Sequence, residues 1–379
     1  MFDKFFINKK LLKELDYSMI IISVAIMIFS ALNIYSATHM KYGTSFFQKQ
    51  LIWLAVGLII IYVVLIFDYI IIENYANIFY WFTIFLLVLN DTVLKKTVNG
   101  AGSWLKLGPI SIQPSEFAKM ALIIMLAKKL DDMEGEINNL RNFFTLAFYA
   151  VIPMILIVIQ PDMGMTMVFF FTVLGMFFVA GLDGKVISGG LAGLTALVAI
   201  IWNSPLMQQY WKNRLTSFLH PEADELNTGL QLVQSKIGIG SGGFLGKGFL
   251  KGTQIAGGYI PEAHTDFIFS VIGEEWGFIG AAILLIFYGI LIYKFIKTAQ
   301  NSKDIFGTMV TIGVTASFMF SILQNIGMTI GIVPITGIAL PFMSYGGSSS
   351  LNNFLALALV LNINMRRKKN KFLKVYKPI

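Results

Sequence analysis

Cysteine is absent from this chain of 379 residues, and charged residues make up only 13% of it. The first absence excludes disulfide staples and thiol chemistry. The second excludes an ordinary soluble domain, in which about a quarter of residues are charged. Histidine is scarce as well. His39, His220 and His264 stand far apart and no HExxH pattern occurs, so a zinc hydrolase site lacks its ligands. No polar block is long enough to form a separate soluble unit, which leaves one membrane domain over 1–379. What is present is 56% hydrophobic, with 33 Phe, 18 Met and 34 Gly, at a mean hydropathy of +0.71. That composition suits helices packed in lipid.

A bilayer core needs roughly 20 apolar residues per helix. Such runs fall at 17–37, 50–67, 75–92, 115–130, 143–160, 163–180, 186–203, 267–293, 306–331 and 348–364. The fold class expected is therefore all-α: a polytopic integral membrane protein of about ten transmembrane helices. The first run follows Lys9, Lys10 and Lys13, is long for a signal-peptide core and shows no clear cleavage site, so it reads as a retained span. Basic residues of the short loops fall on one side if both termini are cytoplasmic. The net charge of +8 does not point to nucleic acid, because much of it sits in the basic tail 365–379, where it reads as an anchor at anionic membrane lipid. Two segments then face outward: Thr92 to Pro114, and a long extracellular loop at 204–265 between spans 7 and 8.

Ionisable residues at the mouths of apolar runs carry the chemical signal. "PEAHTDFIFSVIGEEWGFIG" (261–280) places Asp266 where the eighth span begins and Glu274 and Glu275 two to three turns inside it. Asp266 or Thr265 could simply cap the helix. Alternatively, Asp266 is a general base for a hydroxyl at the membrane surface. Glu274 and Glu275 could organise the helix, pair with a cation across the bundle or couple to a partner. In "WLKLGPISIQPSEFAKMALIIML" (104–126), Pro114 and Ser115 start a helix on which Glu116 and Lys119 can pair at i,i+3. That pair is a local ion pair or a cation for an anionic headgroup. The long loop adds Lys212, Arg214, Lys236, Lys247 and Lys251; several near one pocket would suit a phosphate. "GIGSGGFLGKG" (238–248) has GxGxxG spacing but no strand–turn–helix setting, and it fails the Walker pattern. Glu262, His264 and Asp266 alternate and could hold a divalent cation in an extended loop; no cofactor is otherwise indicated.

Four ordered blocks are similar to the signature blocks of the SEDS family of bacterial cell-wall polymerases. They are "WLKLGPISIQPSEFAK", "NRLTSFLHPEADELNTGLQLVQSKIGIGSGGFLGKGFLKGTQ", "PEAHTDFIFSVIGEEWGFIG" and "GIVPITGIALPFMSYGGSSS". The likeness runs over essentially the whole chain, and "QSKIGIGSGGFLGKGFLKGTQ" with "NIGMTIGIVPITGI" resembles the elongation (RodA) type more than the division (FtsW) type. One departure, Leu226-Asn227-Thr228-Gly229, touches only local loop shape. The resemblance implies a peptidoglycan glycosyltransferase of the bacterial cell membrane. Such an enzyme polymerises lipid II, carried on undecaprenyl pyrophosphate, at the outer face and works with a class B penicillin-binding protein. It carries the family's essential aspartate onto Asp266, and its outer tryptophan and helix lysine onto Trp104 and Lys119. Glu116, Arg214, Gln113 and Ser344 lie inside the matching blocks as further substrate-binding candidates.

Two rivals use the same residues differently. A lipid II flippase would also hold buried acids and broken helices, but it needs polar groups on both sides of the midplane. Here they gather at the outer end. A scaffold that only recruits cell-wall enzymes would make no use of Asp266.

Overall fold

The computed structural model describes residues 9–367 except 93–94, 99–100, 108–109, 203–208 and 220–227. His220, Leu226, Asn227 and the basic tail beyond Arg367 lie outside the described residues.

The chain opens with a short α1 (Lys9–Leu12) and α2 (Tyr17–Tyr42), whose start is capped by the Asp16 side chain accepting from Ser18 N. There follow α3 (Ser45–Ile66), α4 (Tyr69–Asn74) and α5 (Ala76–Thr92). The strands β1 (Lys95–Val98), β2 (Ala101–Leu107) and β3 (Ile110–Ile112) pair antiparallel in that order. Next come α6 (Pro114–Asp132), α7 (Leu140–Ile159), α8 (Met163–Val179) and α9 (Gly184–Trp202). The expected long loop contains α10 (Gln209–Leu219), α11 (Thr228–Gly242) and α12 (Thr253–Ala256), and the chain closes with α13 (Ile268–Gln300), α14 (Ile305–Ile330) and α15 (Gly347–Met365).

A helix stands on each of the ten apolar runs. Five of them, α2, α3, α7, α13 and α14, are long and apolar enough to cross a membrane. The protein is thus a multi-pass helical membrane protein. The number of crossings rests on the runs themselves: α5, α8 and α9 are shorter, and α6 and α15 carry polar residues through their length. Those two are also among the most buried. From Pro114 to Ala127, α6 exposes little beyond Phe117, because α5, α7, α8, α14 and α15 pack around it.

The two segments expected to face outward carry structure of their own. Most of Thr92 to Pro114 forms the three-stranded sheet, seated against α5 and α6. The segment 204–265 holds three helices. Its α11 packs along α13 and α14, with Ser235 Oγ 2.6 Å from Ser270 Oγ and donating to Thr329 O at 2.7 Å. Its glycines permit this. A Cβ on Gly242 would lie 1.9 Å from Gly273 O, so only a bare backbone lets the helices approach so closely.

α13 is broken at Gly277, whose φ of 63° and ψ of −158° are non-helical. Phe278 N and Ile279 N, cut off from the preceding turn, instead donate to Gly243 O (3.0 Å) and Phe244 O (3.2 Å). In return Lys247 N and Gly248 N donate to Glu274 O (3.0 Å) and Glu275 O (2.9 Å). The loop 243–248 therefore completes the backbone hydrogen bonding of the break, as buried irregular backbone requires.

Candidate active site

The segment from Gly331 to Phe342 leaves the helical pattern between α14 and α15. Three consecutive residues in it gather pieces from distant parts of the chain. Arg214 on α10 donates from Nη1 to Ile335 O at 3.2 Å. The start of α8 rests on Thr336, close enough that a Cβ on Gly164 would meet Thr336 O at 2.5 Å. Asp266 comes against Gly337, where an added Cβ would stand 3.3 Å from its Oδ2. The segment itself is held by α14: Gln324 Nε2 donates to Pro334 O at 2.9 Å, and Asn325 Nδ2 donates to both Ile338 O (2.8 Å) and Asp266 O (2.9 Å).

Asp266 does not cap α13. The cap position is Phe267, with no side-chain hydrogen bond, and the Thr265 hydroxyl turns back to the Glu262 carboxylate at 2.7 Å. The helix end therefore does not hold this carboxyl down. Burial pushes it up to about 7, with the Glu262 charge and then Asp162 adding to the rise and Arg214 opposing it. A carboxyl at about 7 is matched to proton transfer near neutral pH.

Asp162, absent from the residues the sequence singles out, is the second acid of the site. It caps α8 by accepting from Met165 N at 3.0 Å and receives Gln113 Nε2 at 3.4 Å. Burial raises its carboxyl, the bonds from Met165 and Gln113 and the charge of Arg214 oppose, and Glu116 raises it further. Through Gln113 and Glu116 the Asp266 cluster continues into α6. There Lys119 Nζ lies 2.9 Å from Glu116 Oε2, which also receives Asn352 Nδ2 at 3.1 Å. Both members of the pair are buried, so this is no solvated helix-end pair.

Lys119, Glu116, Gln113, Arg214 and Asp266 thus belong to one connected polar cluster. The Ser344 hydroxyl accepts from Leu340 N (2.8 Å) and donates to Thr265 O (2.7 Å), tying down the turn that carries Asp266. Trp104 stands on β2, paired with Lys96, and no hydrogen bond or ring contact among the described residues joins it to the cluster. Glu262, His264 and Asp266 do not converge. The His264 ring packs on Phe46 and Tyr345, at centroid distances of 5.0 and 6.0 Å.

Glu274 and Glu275 serve structure. Glu274 is fully buried and accepts from Lys247 Nζ (2.7 Å), Thr253 Oγ1 (3.1 Å), Gln254 N (2.9 Å) and Ile255 N (3.3 Å). It pairs with a cation and starts α12 at once. Glu275 accepts from the Ser36 hydroxyl on α2 and is held by the backbone of Leu250 and Gly252. Together they fasten the loop 247–256 across the break in α13.

The family model described as cell cycle protein, which spans the FtsW, RodA and SpoVE proteins, matches residues 12–369. Stage V sporulation protein E of Bacillus subtilis (strain 168) is 35% identical over 361 residues, 92% of this chain and 96% of that protein. The peptidoglycan glycosyltransferase MrdB of Escherichia coli (strain K12) is 35% identical over 357 residues, 94% of this chain and 95% of its own length. A chain solved in work on the structural coordination of polymerization and crosslinking by a peptidoglycan synthase complex aligns at a TM-score of 0.80 and 30% identity. That alignment covers 94% of this chain and 99% of the other.

Proposed function

The chain belongs to the FtsW/RodA/SpoVE family, and from that premise we propose that it is a peptidoglycan glycosyltransferase of the elongation type. It polymerises lipid II into glycan strands at the outer face of the cytoplasmic membrane, with both termini inside. The observation that carries the catalytic assignment is the state of Asp266: not spent on a helix cap, half-buried, held at about 7 and opposed by Arg214.

In this reading the acceptor lipid II brings its sugar 4-hydroxyl to Asp266. The hydroxyl oxygen bonds to the anomeric carbon of the lipid-linked chain while its proton passes to Asp266. The bond from that carbon to the pyrophosphate oxygen breaks, and the electron pair leaves with undecaprenyl pyrophosphate. Lys119 and Arg214 supply positive charge for that leaving group, the larger electrostatic contribution. Glu116, Asn352 and Gln113 hold Lys119 and Asp162 in place. Ser344 and Asn325 fix the turn. Trp104 is assigned to substrate entering over the sheet.

The lipid substrate accounts for a site at the end of a helical bundle rather than in a soluble domain. The partner proposed is a class B penicillin-binding protein that crosslinks the strands; the relative from a complex coordinating polymerization with crosslinking supports it. The test is polymerisation of purified lipid II by the protein with that partner, comparing wild type, Asp266→Ala and Asp266→Asn. Strands from wild type and none from either folded variant are expected. Strands from all three would remove Asp266 from the chemistry, and lipid II crossing vesicle membranes without strand formation would replace the enzyme by a transporter.

A further inference from the structure

The turn from Pro261 to Phe267 holds a second carboxylate that the reaction above does not use. Glu262 O accepts from Thr265 N (3.2 Å) and Phe267 N (3.0 Å), closing the turn one residue past Asp266. The Thr265 hydroxyl reaches both the Glu262 carbonyl (3.3 Å) and its Oε2 (2.7 Å). Glu262 is therefore tethered by main chain and side chain alike, four positions before Asp266.

We propose that Glu262 is a positioning residue that sets the basicity of Asp266, as a fixed negative charge locked into the same turn by Thr265. This rests on the assignment of Asp266 as the base. The surroundings leave few other charges to do the same. Arg214, docked on Ile335 O, acts in the opposite sense, and Asp162 reaches Asp266 from the start of α8 with a weaker effect. His264 lies between the two acids in sequence, but it packs against Phe46 and Tyr345, and burial lowers its pKa against the pull of Glu262, which disfavours a compensating cation there. A carboxylate at an ordinary value near 3.8 would be ionised but too weak a base to draw a proton from a sugar hydroxyl. A like charge beside it strengthens it.

Glu262→Gln separates charge from bracing, because the amide oxygen can still accept from Thr265. With lipid II and the partner present, the acid limb of the pH–rate profile should move down by about one pH unit. Relative to its own plateau, the rate at pH 6 should rise about fivefold, with a lower plateau. A reduced rate with the limb in its wild-type place would overturn the proposal and leave Glu262 a brace. A second arm needs no activity. In thermal unfolding, the pH at which the gain of Asp266→Asn over its parent levels off should fall in the Glu262→Gln background. If it stays put, Glu262 does not act on Asp266; if it moves while wild type makes no strands, the coupling stands and the polymerase assignment falls.

Discussion

Removing the positive end of the Lys247–Glu274 pair should unfasten the loop across the break in α13. The Glu274 side chain has no solvent exposure, whereas Lys247 keeps about a quarter of its own. The two ends are therefore unequal. In Lys247→Met the carboxylate stays buried without a cation, for which a cost of roughly 3–5 kcal/mol is typical. Bonds from Thr253, Gln254 and Ile255 remain and bring the expectation to its lower end, about 3 kcal/mol. In Glu274→Gln the amide keeps one acceptor and Lys247 can turn to water, so roughly 1–2 kcal/mol is expected. The double variant should lose less than the two losses added, by about 1–3 kcal/mol. Thermal unfolding of the detergent-purified proteins gives the cycle. Trypsin cleavage after Lys251, exposed in the same loop, reports whether the damage is local. A Lys247→Met loss under about 0.5 kcal/mol, or strict additivity, would refute the reasoning.

Polymerisation should rise with pH through about 7, because Asp266 must be ionised to accept a proton, and a pH–rate profile reads this directly. The same group acts on stability with a definite sign. Its folded value, about 7, lies above the ordinary 3.8, so its favourable contribution is complete at low pH and is lost as pH rises through 7. Asp266→Asn should therefore gain least below pH 4 and most at pH 8, with an upper bound of roughly 4 kcal/mol, seen as a widening gap between unfolding curves. Ser344→Ala removes the bond to Thr265 O and the one from Leu340 N, loosens the Asp266 turn and should lower kcat about 10–100-fold while binding to the partner persists in pull-down. Lys119→Met should abolish strand formation; because it strands the buried Glu116, Lys119→Met/Glu116→Gln is the comparison that keeps the fold, and strands from it would remove Lys119 from the leaving-group role.

The ten helices were legible because lipid imposes length and apolarity on any spanning segment, and runs such as 143–160 and 306–331 satisfy both. The sheet was not, since Lys95–Ile112 mixes lysine, glycine and short apolar pieces without sustained alternation. The helix α11 was hidden by its glycines, which lower helix propensity in isolation; Gly242 earns its place only against Gly273, a contact no local pattern shows. Within the site, Glu116 and Lys119 stood out as charges at the start of an apolar run. Asp162 did not, because an aspartate just before a helix is accounted for by an N-cap, and it does cap α8. Asn325 and Asn352 had a signal of a kind: an amide inside an apolar helix needs a partner. Which partner, Asp266 O or Glu116, depends on chain 236 residues away for Asn352 and 59 residues away for Asn325.

The break at Gly277 divides α13 into two mechanical regimes. Before it, Ile268 to Glu275 are all buried; beyond it, Phe278, Ile283, Leu285 and Ile286 face outward on one side while Leu284, Tyr288 and Leu291 stay buried in the bundle. A helix exposed in this way changes its tilt as the bilayer thickens or thins. An unbroken rod would carry each such tilt into the turn at its end. Here the rod is interrupted beside that turn, and the loop 243–248, bonded to both sides of the break, stands between the half with a lipid-facing side and the buried half next to Asp266.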